Sequence, residues 1–176
     1  MGAVLHRRRP VDPDGYTIEM AEHLLPDNPR FELHGGRIVV MSPAKRWHTQ
    51  VQRRIADLLE RTGRVAGIEV GLTVAPKEMR VLDVATFRNE PGGDRAYFKP
   101  GEITLAVKVA SPSSEDDDYF GKPELYALLG IGEFWRADRT DDGVIMVEMF
   151  ALNRDDRVYV PTGTATLEEL EQRAGR

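Results

Sequence analysis

The sequence predicts an α/β (α+β) domain with one central mixed sheet flanked by helices. Two observations carry that expectation. Short runs rich in β-branched and apolar residues recur between turn signals, and one longer stretch carries apolar residues at helical spacing. Their interleaving along the chain fits a sheet with helices packed on it. The 176 residues suit one domain, with residues 1–15 as a mobile N-terminal arm and 16–176 as the folded unit. A chain of this length buries roughly 70% of the surface it exposes when unfolded.

The elements follow in order. The arm lacks periodicity and carries Pro10, Pro13 and Gly15. Thr17 reads as the N-cap of a short helix to Leu25, closed by Pro26. FELHGGRIVVMS reads as two strands joined at His34-Gly35-Gly36. Ser42-Pro43 has the N-cap and first-turn pattern of a helix that runs to about Thr62 and stops at Gly63. Trp47, Val51, Ile55, Leu58 and Leu59 form its apolar face. Strands are expected over 68–75 and 80–87, then a Gly- and Pro-rich loop over 88–102. ITLAVKVA follows as a strand buried on both faces, and then the acidic loop SPSSEDDD. A helix through ELYALLG ends at Gly130-Ile131-Gly132, strands follow at 133–138, 144–152 and 157–160, and Thr166 caps a short C-terminal helix.

Composition excludes several classes. Cysteine is absent, so there are no disulfides and no thiolate metal sites, which fits a reducing compartment. No apolar run approaches the ~18 residues a membrane span needs. The expectation is a cytoplasmic protein with no membrane partner. The net charge of −5 argues against tight non-specific binding to nucleic acid, which rests on phosphate neutralisation. The charge is uneven, however. Residues 1–88 carry 14 Lys/Arg against 11 Asp/Glu, and residues 89–176 carry 10 against 18. The cations gather at Arg7, Arg8, Arg9, Lys45, Arg46, Arg53, Arg54, Arg61 and Arg64. A solvated tail and helix face is the plainest account of them.

There is no HExxH pair, no glycine-rich phosphate loop and no GxSxG elbow, and the four histidines lack metal-ligand spacing. What remains is ionisable groups on apolar strands: Glu32 between Phe31 and Leu33, Asp83 between Leu82 and Val84, and Lys108 between Val107 and Val109. One acid in a strand is usually an edge or hydrogen-bonded residue. Three such groups on three elements suggest a site, since structural residues there would be apolar. An ammonium on a doubly buried strand loses several kcal/mol of hydration unless an acid compensates it. Lys108 is therefore expected to pair with Asp83 or Glu32.

FELHGGRIVVMSP, the helix residues including His48, RVLDVATF, ITLAVKVASPSS and GKPELYALLGIGEFWRAD together resemble the Uma-two family. That family belongs to the PD-(D/E)XK, or restriction-endonuclease-like, superfamily. The resemblance covers about residues 16–160. It implies a mixed sheet flanked by helices and Mg²⁺-dependent hydrolysis of DNA phosphodiesters. Carried over by position, Asp83 would be the metal-binding acid and Glu32 the upstream acid. Lys122 would polarise the phosphate or the attacking water. The chain departs from the family at Lys108, where a glutamate usually supplies the second carboxylate. A hard dication needs oxygen ligands, and an ammonium offers only donors and positive charge.

Three readings stay open. The first is the nuclease, with Mg²⁺ as cofactor, DNA as partner and another ligand such as Glu69. The second is a repurposed enzyme without metal, binding a small-molecule substrate with Lys108 as acid/base or anion holder. Trp47, Tyr126 and Trp135 could line such a pocket, or serve as core residues. The third is a catalytically dead binding module that uses the basic helix face or the arginine arm. A homodimer fits any of the three. The acidic run Glu115-Asp116-Asp117-Asp118 would repel DNA at a pocket mouth, or favour a helix N-terminus.

Overall fold

The computed structural model describes residues 14–25, 30–110 and 121–175. The expected arginine arm, Pro26 and the acidic run at 115–118 fall outside these residues. The described elements are α1 (Ile18–Leu24), β1 (Phe31–His34), β2 (Arg37–Val40), α2 (Arg46–Arg61), β3 (Val65–Ala75), β4 (Glu78–Phe87), β5 (Tyr97–Phe98), a 3-10 turn (Pro100–Glu102), β6 (Ile103–Val109), α3 (Lys122–Leu128), β7 (Glu133–Arg139), β8 (Ile145–Asn153), β9 (Val158–Thr166) and α4 (Leu167–Ala174). The described strands form one sheet in the order β2-β1-β4-β6-β7-β8-β9, with β3 on β4 and β5 on β3. Pairing is antiparallel except for β6–β7 and β3–β5. The sheet is therefore mixed and mostly antiparallel, with helices packed on it.

Both faces are covered, which accounts for the near-continuous apolar character of β4 and β6. Val51, Ile55, Leu58 and Leu59 of α2 pack with Val84, Leu105, Val107 and Val109. Tyr126 of α3 packs with Leu82, Ala106, Ile131 and Phe134. A third cluster joins Ala21 of α1 to Phe31, Leu33, Met79 and Val81.

Several boundaries differ from the sequence reading. Thr17 and Thr166 do cap α1 and α4, accepting from the amides of Met20 and Glu169. Ser42-Pro43 does not open α2; the N-cap is Lys45, which makes no side-chain cap bond. The Met41 amide still donates to the Arg30 carbonyl, so the chain keeps the path of the hairpin and residues 42–45 must cross to the helix. The start of β3 lies at Val65, earlier than expected, because Gly67 leaves room for the Phe87 ring against the strand. Residues 97–98 of the expected loop form β5. Its backbone approaches Gly71 so closely that a Cβ there would lie 2.8 Å from the Ala96 carbonyl oxygen. Strand β9 continues to Thr166 despite Pro161, which an edge strand tolerates because one side needs no ladder donor.

The feature that places the site is a fork along one edge of β4. On that edge β1 pairs only at Leu33–Met79, and β6 pairs only from Val84 to Phe87. Between them residues 80–83 have no strand partner on that side. Backbone donors there must be met by something else.

Candidate functional site

One carboxylate meets a β4 donor in the gap, and a second meets the β6 donor that faces it. Glu32 Oε1, from β1, accepts the Val81 amide at 3.0 Å. Asp83 reaches across the widening gap to β6 and accepts the Val109 amide on Oδ2 at 2.8 Å. Each acid thus continues a ladder that the strands themselves have abandoned. The fork gives acids in buried strands a structural reason to exist.

Each acid also meets a lysine. Lys108 Nζ lies 3.0 Å from Asp83 Oδ2, and Lys122 Nζ lies 3.5 Å from Glu32 Oε1. All four residues are buried, with Asp83 at 0% exposure and Lys108 at 6%. The fold therefore gathers all four sequence-predicted site residues around the fork, arranged as two ion pairs. Lys108 comes from the strand next to Asp83, while Lys122 comes from the first turn of α3.

Around Asp83 Oδ1 the sequence reading offered only Glu69, as a metal ligand, and missed the donors Gln52, Arg30 and His48. Gln52 Nε2 donates to Oδ1 at 3.3 Å and to Glu69 Oε1 at 2.5 Å. Arg30 Nε stands 2.7 Å from Glu69 Oε2, with Nη2 4.0 Å from Asp83 Oδ1. His48 Nε2 is 3.2 Å from the Val109 carbonyl and 3.6 Å from Asp83 Oδ1. Because the carbonyl can only accept, Nε2 carries the proton. His48 Nδ1 is buried and has no hydrogen-bond partner among the described residues. A signal was present, since His48 and Gln52 are four residues apart on the stripe that carries Val51 and Ile55. Glu69 adds a backbone sign, φ +56° in a non-glycine residue, which such a side chain adopts only where its surroundings hold it.

Electrostatics follow from these contacts. Burial alone would push the Asp83 carboxyl up. The His48 hydrogen bond, the Lys108 ammonium and the Val109 amide outweigh burial and hold it at about 2. Burial likewise opposes ionisation of Glu32, yet Lys122, the Val81 amide and His34 keep it below the ordinary carboxylate value. His34 Nε2 lies 2.8 Å from Glu32 Oε2. Both acids are therefore ionised and compensated at neutral pH.

Mg²⁺ asks for several oxygen ligands with open coordination directions. The residues around Asp83 do not meet that demand. Oδ2 already faces an ammonium and an amide, and Oδ1 faces the donors of Gln52, His48 and Arg30. Among the described residues, no three His, Asp or Glu side chains converge as a ligand group. Trp47 and Trp135 pack half-buried against the α2 core, and Tyr126 is fully buried, so none of the three aromatics opens onto this centre as a pocket wall. No described helix is long and apolar enough to cross a membrane.

Residues 18–174 match the model of the Uma2 family, described as "Putative restriction endonuclease". The chain belongs to the Uma2 family. Among solved structures it is similar to a "putative nuclease belonging to DUF820" from Anabaena variabilis. That match has a TM-score of 0.58 at 16% identity and covers 85% of this chain and 83% of that one. At that identity the likeness speaks for the fold alone. No match was found among the curated proteins.

Proposed function

We propose that this Uma2-family chain is a nucleic-acid-binding protein whose metal centre is degenerate, so that it does not perform Mg²⁺-dependent hydrolysis of DNA. One observation carries the reading: Lys108 Nζ stands 3.0 Å from Asp83 Oδ2, where a metal ligand set would need a second carboxylate. A dication 4–5 Å from that ammonium would be opposed by about 7–8 kcal/mol at an effective dielectric near 20. The lysine supplies in fixed form the positive charge that a bound cation would supply. The fork is satisfied by protein donors alone. A nuclease-like fold supports nucleic acid as the partner class, and the compensation of all four ionisable groups argues against a reactive acid or base among them.

The test is a cleavage assay on supercoiled and linear duplex DNA with about 5 mM Mg²⁺ or Mn²⁺, with and without chelator. The expected result is no cleavage above background in either condition. Chelator-sensitive cleavage that Asp83→Ala abolishes would overturn the reading.

A further inference from the structure

Helix α2 has a second polar flank, separate from the stripe that carries His48 and Gln52. Trp47, Gln50, Arg53, Arg54, Arg139 and Ile145 line an open cleft of about 540 Å³ beside the tip of the β7–β8 hairpin. Arg54 is neutralised there by a two-pronged pair with Glu171, at 2.9 and 2.7 Å. Arg53 and Arg139 are exposed and have no acidic partner among the described residues. The Arg139 guanidinium carbon lies 5.8 Å from the centre of the Trp47 ring. At the hairpin, Asp138 holds Arg136, and Asp142 accepts from Thr140.

Two uncompensated guanidiniums beside an indole, in one concavity of a chain with net charge −5, form a local site for an anion. The chemistry narrows the anion further. Guanidinium matches phosphate geometrically, and an indole face accepts a base whatever its sequence. A base reaches such a face only when it is unstacked, as in a single strand. The exposed Lys45 and Arg46 extend the cationic run along the start of α2, which suits a chain of phosphates better than one nucleotide.

We propose that this cleft binds a segment of single-stranded nucleic acid, with a base on Trp47 and flanking phosphates on Arg53 and Arg139. The inference rests on the nucleic-acid reading above, but not on what happens at Lys108.

The experiment uses the full chain, in chelator, with a fluorescein-labelled oligothymidylate of about 12 nucleotides. Anisotropy is followed from about 50 to 200 mM salt. Arg53→Ala/Arg139→Ala should weaken binding tenfold or more at low salt. It should also flatten the log–log salt slope by about 1.4, because roughly 0.7 is lost per phosphate contact on a single strand. Trp47→Leu should weaken binding at least about fivefold, and Trp47→Phe, which keeps a stacking ring, should recover most of the loss. Arg37→Ala, on the distant edge strand β2, should change nothing. If the natural chain binds and the double arginine variant matches it in affinity and slope, the cleft assignment falls and the nucleic-acid reading stands. If the natural chain does not bind this strand even at the lowest salt, the cleft assignment falls; failure to bind a duplex of about 12 base pairs as well would sink the nucleic-acid reading with it. Displacement by thymidine monophosphate at the same nucleotide concentration would replace the strand with a mononucleotide and overturn the proposal.

Discussion

The two lysine–carboxylate pairs of the fork look alike in composition and differ in construction. Asp83 and Lys108 lie on neighbouring strands of one sheet, 3.0 Å apart, and the acid is wholly out of solvent. Glu32 and Lys122 link a strand to the first turn of a seven-residue helix, at 3.5 Å, and Glu32 has His34 as a second neighbour. The first pair has its geometry set by the sheet. The second has one partner on a separate short helix and one acid that keeps other support. The ion pair on neighbouring strands is the one expected to dominate stability.

Removing one partner separates them. Lys108→Met leaves a buried carboxylate facing neutral carbon, and should lower unfolding free energy by about 3–5 kcal/mol. Lys122→Met should cost less, about 1–3 kcal/mol, since the Val81 amide and His34 still serve Glu32. Urea denaturation of both variants checks the order, and a larger loss for Lys122→Met would reverse the comparison. The double variant Asp83→Leu/Lys108→Met should recover much of the single loss, because an apolar pair of similar volume is often neutral or better than a buried ion pair.

Acid sharpens the same contrast. The folded-state value of Asp83 is about 2, against an ordinary value of 3.8. A depressed carboxyl contributes stability above its unfolded value and loses it as pH falls through the folded one. The contribution, about 2 kcal/mol, is therefore present above pH 4 and disappears between about pH 4 and pH 2. Glu32 is lowered too and acts in the same sense. Stability of the natural chain should fall through that window. The gap between it and Lys108→Met should narrow, because protonating Asp83 relieves the unpaired charge in the variant. A gap that stays constant from pH 6 to pH 2 would mean that Lys108 acts through packing instead.

The smallest effect belongs to the surface. Arg54 and Glu171 form a better-aligned pair than either of the buried ones, yet their side chains are 44% and 24% exposed. Arg54→Ala should cost less than about 1 kcal/mol and lose its effect in high salt, as thermal unfolding with and without about 0.5 M NaCl would show.

How much of this was legible in the sequence depended on whether a feature is local. Thr17 and Thr166 announce their caps because a hydroxyl serves an amide three residues away. The pairing of Lys108 could be argued from cost alone, since an ammonium on a doubly covered strand must find an acid. Glu32, Asp83 and Lys108 stood out as ionisable groups on apolar strands, while Lys122 and the specific fold came from the Uma2 resemblance. The fork itself was not legible, because it depends on where β1 and β6 leave β4, a register that no single strand encodes. For the same reason Gln52 and Arg30 were missed as neighbours of Asp83, although His48 and Gln52 share a helical stripe; Glu69 was anticipated only as a metal ligand, not as the partner of Gln52 and Arg30. Strand β5 was hidden in a loop because its two residues depend on an unoccupied space at Gly71, and the Ser42-Pro43 signal lost to the hairpin bond at Met41.

The central claim is that Lys108 takes the part of a cation at Asp83, and Lys108→Glu tests it most directly. That change sets two carboxylates face to face, so that one must bind a proton or both must share a cation. Thermal unfolding of the natural chain and the variant is compared in chelator and in Mg²⁺ or Mn²⁺. The variant should be less stable in chelator and should regain stability with metal. At about 100 times its dissociation constant, the ion contributes roughly 2.7 kcal/mol, a rise of about 5–10 °C for a chain of this size. The natural chain should show no such rise. The same metal response in both proteins would contradict the account and remove Lys108 from the position of the cation.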